Sequence, residues 1–179
     1  MAKNSKSVLT FIRAAGGLVK NENGEYLLIF RNGMWDLPKG GQDKGETLYA
    51  SSLREVQEEC GIITLKLGRF IAVTKHSYWM EAERVEKFDG VSDRQSVTQG
   101  VIDDNLFNIR ELVFKETYWY HIYTPGRPQP TPQTGEGIER CCWCAPEEAK
   151  QRLSQSYPSL RWLFQYATEK IVDNRKVRR

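Results

Sequence analysis

The chain has 179 residues, 40% hydrophobic and 27% charged, an ordinary globular mix long enough to bury a core without staples. Its 26 Lys and Arg against 23 Asp and Glu leave a net charge of only +3, which argues against a dedicated nucleic-acid or membrane binder. No apolar run approaches the roughly 20 residues that span a bilayer, and residues 1–7 are too polar to open a secretory leader. The four cysteines, Cys60, Cys141, Cys142 and Cys144, are too crowded for separate bridges, so a reduced, cytoplasmic setting is expected.

In chain order, residues 10–19 are β-branched and apolar with Gly16-Gly17 and read as a buried strand. A turn at 21–24 joins them to a second strand at 26–30, making a hairpin. Asn32-Gly33 opens another turn, and residues 35–38 lead into a loop holding Gly40, Gly41 and Gly45. A helix is predicted over residues 47–60, capped by Thr47 and ended by Gly61. Its Tyr49, Leu53, Val56 and Cys60 form a narrow stripe expected to face the core, with Glu55, Glu58 and Glu59 nearly opposite.

Residues 62–73 and 112–123 read as strands, the second carrying the aromatic run 118–120. Between them, 81–110 reads as an inserted loop with room for a short helix. Residues 124–138 are a Pro- and Gly-rich loop, and 141–144 a short strand. Helices follow over 146–153 and 158–172, then a basic tail at 174–179. The order implies an α/β fold, a mixed sheet with helices on both sides, as a single domain over 1–173.

Chemistry concentrates in residues 40–62, G-G-Q-D-K-G-E-T-L-Y-A-S-S-L-R-E-V-Q-E-E-C-G-I. Three carboxylates at i, i+3 and i+4 share one helix face, where they repel one another unless a cation joins them. No Lys or Arg occurs from 55 to 64, and Arg54 is the nearby cation, placed to reach Glu58 or to fold back on Glu46. A hard divalent ion suits such a cluster better than a merely solvated acidic face does. Zinc would need His76 or His121 to join the cysteines, which read instead as small hydrophobes in a strand.

This stretch resembles the Nudix box, G-x5-E-x7-R-E-U-x-E-E-x-G-U with U a bulky aliphatic residue, at Gly40, Glu46, Arg54, Glu55, Val56, Glu58, Glu59, Gly61 and Ile62. The resemblance implies the Nudix α/β/α sandwich and Mg²⁺-dependent hydrolysis, Mn²⁺ being an alternative, of a diphosphate linkage in a nucleoside polyphosphate. It implies that Glu55, Glu58 and Glu59 hold metal with the Gly40 region carbonyl. Glu46 and Arg54 would brace the helix face, and one of the acids would take the proton from water. Residues 35–40, W-D-L-P-K-G, resemble diadenosine and diphosphoinositol polyphosphate members, as do Tyr78 and residues 115–123. That implies a dinucleoside polyphosphate substrate, with Arg31, Lys39 and Tyr78 binding it. An (oxidised) nucleoside triphosphate, or a nucleotide-sensing module without turnover, is the alternative.

Glu136 and Glu139 are candidates for a further ligand or base, with Glu81, Glu83 and Glu116 still in play. Arg13 joins Arg31 as a possible phosphate clamp. His76 and His121 are expected to be packed or solvated, and Trp79 and Trp119 to serve as core or as base platforms. The expected partner is a small nucleoside polyphosphate, with neither a membrane nor a dedicated nucleic-acid partner. A homodimer is compatible with everything above.

Overall fold

Residues 26–31 (β2, Tyr26–Arg31) alternate between two hydrophobic cores, because successive side chains of a strand point to opposite faces. Tyr26 and Leu28 join one core, with Leu18, Trp119, Leu153, Leu163 and Phe164. Leu27 and Ile29 join the other, with Val19, Val56, Cys60, Ile62 and Ile122. The first core is covered by α2 (Pro146–Leu153) and α3 (Pro158–Lys176), and the second by α1 (Leu48–Cys60). A sheet carrying helices on both faces is the α/β/α sandwich expected.

The computed structural model describes residues 7–81 and 110–176. The remaining strands are β1 (Ser7–Asn21), β3 (Met34–Asp36), β4 (Lys39–Gly41), β5 (Lys66–Glu81), β6 (Arg110–Thr124) and β7 (Ile138–Cys144). The sheet runs β3-β2-β1-β6-β5, with β4 paired to β1 and β7 to β2. β1 and β2 form the expected antiparallel hairpin, with Lys20 opposite Tyr26. β4 lies antiparallel to β1 with Ala15 opposite Gly40, so the glycine-rich segment is held by a central strand of the sheet.

The chain divides into two compact units, residues 12–75 with 115–179, and residues 1–11 with 76–114. In the second, Phe11 stacks on Phe114 at 5.6 Å, and Tyr78, Trp79 and Met80 are exposed. The inserted loop expected over 81–110 lies outside the described residues apart from its ends, which belong to β5 and β6.

Several expectations need correction. The strand expected from residue 62 begins at Lys66, although Ile62 is buried as an anchor. The loop over 124–138 contains a short 3-10 turn, Thr134–Glu136. The last helix runs into the basic tail as far as Lys176. The buried face of α1 is also rotated from the apolar stripe. Tyr49 is half exposed against Tyr120, while Ser51, Ser52, Glu55 and Glu59 are buried beside Val56 and Cys60. Two serines bring this helix close to its neighbours without large side chains. Their hydroxyls donate to local acceptors, Ser51 to Glu46 and the Thr47 carbonyl, Ser52 to the Tyr49 carbonyl. Apolar periodicity cannot register such a contact.

Candidate active site

The α1 helix is fixed at both ends. Thr47 accepts a hydrogen bond from the Ala50 amide at 3.1 Å. Gly61 adopts φ 67°, the left-handed conformation that glycine takes without a Cβ clash, and its amide donates to the Gln57 carbonyl. The helix therefore ends just beyond Glu59 and Cys60. Amides of the 124–138 loop satisfy two of its last carbonyls, Thr131 to Cys60 at 2.8 Å and Gln133 to Glu59 at 3.1 Å.

Arg54 is the hub of the carboxylate cluster. It grips Glu46 bidentately, through Nε and Nη2, each at 3.0 Å. Its Nη1 donates to both Glu55 Oε1 and Glu58 Oε2 at 2.8 Å, and its Nη2 to the Gly41 carbonyl at 2.7 Å. Glu46 also accepts from Ser51 Oγ and the Asp43 amide. These donors, Arg54 foremost, hold the Glu46 carboxyl down to about 2. One guanidinium thus reaches both of the alternatives left open by its spacing, Glu46 and Glu58, and adds Glu55.

Glu59 lies on the other flank, fully buried. Its Oε1 accepts from Arg31 Nη1 at 3.1 Å and its Oε2 from the Lys39 amide at 2.8 Å. Burial dominates, and pushes the Glu59 carboxyl up to about 7 despite Lys39 and Arg31. Burial also raises Glu55, against the pull of Arg54. Asp36, which the sequence reading passed over, ties this corner together, accepting from Lys39 Nζ at 2.6 Å and Arg31 Nη2 at 3.5 Å. Its clue was an acid three residues before Lys39. Lys115 was passed over as a single residue too. Burial, followed by the positive charges of Lys39 and Arg31, lowers its amine. It shares the period-two alternation of buried Thr117 and Trp119, which marks it as facing inward.

These two shifts act on stability in opposite pH ranges. The depressed Glu46 carboxyl contributes stability that is present above its unfolded value of 4.5 and is lost as pH falls toward 2. The raised Glu59 carboxyl favours the folded state while protonated, and that contribution is lost as pH rises from 4.5 through about 7. Metal-free protein is therefore expected to lose up to about 3 kcal/mol from Glu59 between pH 5 and 8. Thermal melting in chelator should show Tm falling over that range, and Glu59→Gln should flatten the fall.

Gly40 sits where the backbone meets the acids. A Cβ built there would collide with the Glu55 carboxylate. Gly40→Ala is expected to displace Glu55 and weaken divalent-ion binding at least tenfold, measured by calorimetric titration, with the fold retained.

Among the described residues, no three His, Cys, Asp or Glu side chains surround a ready-made metal position. The donor set nevertheless fits a divalent cation. Glu55 and Glu58 already converge on one cationic nitrogen of Arg54, whose other nitrogen reaches the Gly41 carbonyl, so hard carboxylate and carbonyl oxygens gather around a single positive charge.

The outlying candidates divide. Glu136 is exposed in the 3-10 turn, yet its charge raises the Glu55 carboxyl, which places it in the same field. Glu139 is exposed on β7. Tyr78, His76 and Trp79 belong to the smaller unit, and the box to the larger one. Glu116 pairs with Lys75 at 2.9 Å, and Arg13 is exposed on β1. His121 is buried, its imidazole pushed down to about 4 by burial, so it stays neutral and packed. Trp119 is core, its indole N–H donating to Thr74 at 2.9 Å, and offers no platform to a base. Glu81 ends β5, and Glu83 lies outside the described residues.

Comparison with known proteins gives a consistent result. A family model described as NUDIX domain matches residues 10–163. A stretch of 51 residues is 43% identical to Nudix hydrolase 10 of Arabidopsis thaliana, and covers 27% of this chain and 18% of that relative's length. The fold is similar to the Ap4A hydrolase of C. elegans in a binary complex, with TM-score 0.58, 17% identity, and coverage of 90% of this chain and 98% of that one. It is also similar to the MutT protein of Methanosarcina mazei, with TM-score 0.55, 20% identity, and coverage of 90% and 96%.

Proposed function

With a family model matched over most of its length, the chain belongs to the Nudix family, hydrolases of phosphoanhydride bonds, and we propose that it cleaves a nucleoside polyphosphate with Mg²⁺ as cofactor. The observation that carries this reading is the division of the acids between two cationic groups. Glu46, Glu55 and Glu58 gather on Arg54, while buried Glu59 sits against Arg31 and the Lys39 amide. Glu55, Glu58 and Glu59 would hold the metal together with a backbone carbonyl of the Gly40–Gly41 region. Bound there, a divalent ion neutralises phosphate charge and acidifies the attacking water.

The chain's own residues supply the rest. Arg54, gripped by Glu46, keeps Glu55 and Glu58 in register as a positioning residue. Lys39 and Arg31, aligned by Asp36, are cations suited to phosphate oxygens, and Lys115 adds a third to the same field. One of Glu55, Glu58 and Glu59, or exposed Glu136 in the 3-10 turn, would take the proton from the attacking water.

The substrate we favour is a dinucleoside polyphosphate, supported by W-D-L-P-K-G at residues 35–40 and by the similarity to the C. elegans Ap4A hydrolase fold. A nucleoside triphosphate is the second reading, supported by fold similarity to the E. coli dihydroneopterin triphosphate pyrophosphohydrolase at TM-score 0.51. The test is hydrolysis of both classes, with ADP-ribose, diphosphoinositol phosphates and capped RNA alongside, in ¹⁸O-water with Mg²⁺ or chelator. Label in a mononucleotide product of the dinucleoside substrate supports the proposal. Silence across the panel with intact Mg²⁺ binding would overturn turnover in favour of nucleotide sensing.

A further inference from the structure

The face of the sheet away from α1 carries a thiol arrangement that the hydrolytic chemistry does not use. Cys142 and Cys144 stand two apart on β7, on the same face as Arg140, and their sulfurs are 3.4 Å apart. Arg152 of α2 donates from Nη1 to Cys142 Sγ at 3.1 Å and from Nη2 to Glu148 at 2.6 Å. The same guanidinium lies 4.1 Å over the Trp35 ring, and Arg140 lies 5.4 Å from it. Cys142 is half-buried and Cys144 fully buried.

We propose that Cys142 is a reactive thiolate with Cys144 as its resolving partner, together forming a hydroperoxide-sensitive dithiol switch. The charges facing Cys142 are Arg140 on its own strand and Arg152 and Glu148 from α2. The hydrogen bond with Cys144 and the charge of the Arg152 guanidinium hold the Cys142 thiol down to about 7, while its partner is pushed up. That division matches the two roles. The thiolate attacks the terminal oxygen of a hydroperoxide, the O–O bond breaks, and the leaving alkoxide or hydroxide takes a proton, giving a sulfenic acid at Cys142. Cys144 then attacks that sulfur, S–S forms as S–O breaks, and the hydroxide leaves as water with the Cys144 proton. Two electrons pass from the dithiol to the peroxide.

Strand geometry makes the product labile. Residues two apart on a strand are separated by about 6.6 Å, near the upper limit for a disulfide, so the bridge forms under strain and is readily reduced. Oxidation also removes one of the two acceptors of Arg152, the residue stacked on Trp35 next to Asp36, and leaves it to Glu148.

The chain carries its own control. Cys60 and Cys141 are 3.8 Å apart on the opposite face, Cys60 is buried and pushed up, and among the described residues no arginine is bonded to either sulfur. Treat the intact protein with stoichiometric hydrogen peroxide, then alkylate the remaining thiols under denaturing conditions and read the mass. Loss of two alkylation sites, localised by fragmentation to 142 and 144 and restored by dithiothreitol, is expected. Cys144→Ala should instead trap a dimedone-reactive Cys142, and Cys142→Ser should abolish both products while keeping basal hydrolysis. Arg152→Met should slow iodoacetamide labelling of native Cys142 at pH 7 about tenfold, and Arg152→Lys less. Oxidation appearing first at Cys60 or Cys141, or labelling of Cys142 unchanged in Arg152→Met, overturns the proposal.

Discussion

Glu58→Gln and Glu59→Gln are each expected to lower turnover at saturating Mg²⁺ by on the order of a thousandfold while the protein stays folded. The two variants should differ in everything except that loss. Glu58 is half exposed and, among the described residues, bonded only to Arg54, so its amide replacement leaves stability nearly unchanged. Glu59 is buried, and its charge is unfavourable there without a metal. Glu59→Gln should therefore melt no lower than the parent in chelator at pH 8, and should lose the stabilisation that added Mg²⁺ gives the parent. Turnover within tenfold of the parent in either variant would remove these carboxylates from the chemistry.

Arg54→Ala carries the second large effect. Among the described residues Arg54 is the one cation bonded to Glu46, Glu55 and Glu58 together, and Glu55 is buried. Its removal leaves a buried carboxylate uncompensated beside two others, which costs about 3 kcal/mol, or roughly 10 °C of Tm in a domain of this size. Added Mg²⁺ should restore part of that loss, because a divalent ion answers the same repulsion. Arg54→Lys cannot reproduce a bidentate grip on Glu46 together with a bond to Glu58, and should rescue stability only weakly. Equal Tm values for Arg54→Ala and the parent in chelator would show that the cluster does not depend on this guanidinium.

The sandwich, the helix from Thr47 to Gly61 and the set of box residues were legible because each rests on a local regularity. Cap chemistry marks both helix ends, and period-two alternation marks the strands. The pairings were less legible because they join distant positions. Arg31 is 28 residues from Glu59 and Lys39 is 20, and only the folded register of β2 and β4 brings both to α1. The burial of Glu55 and Glu59 escaped for a related reason. Hydrophobic periodicity assigns charged residues to solvent, whereas here polar partners make a buried carboxylate tolerable. Asp36 and Lys115 fall outside the box, and charged groups matter there only through what they face.

The loop from 124 to 138 bears on motion as well as on placement. Its Thr131 and Gln133 amides are bonded to carbonyls of the last helical turn, those of Cys60 and Glu59. Either amide exchanges its hydrogen with solvent only when its bond to that turn breaks, so slow exchange at both reports the loop held against the helix end. A ligand that tightens around Glu59 is expected to slow exchange at Thr131 and Gln133, since their acceptors lie on that residue and the next.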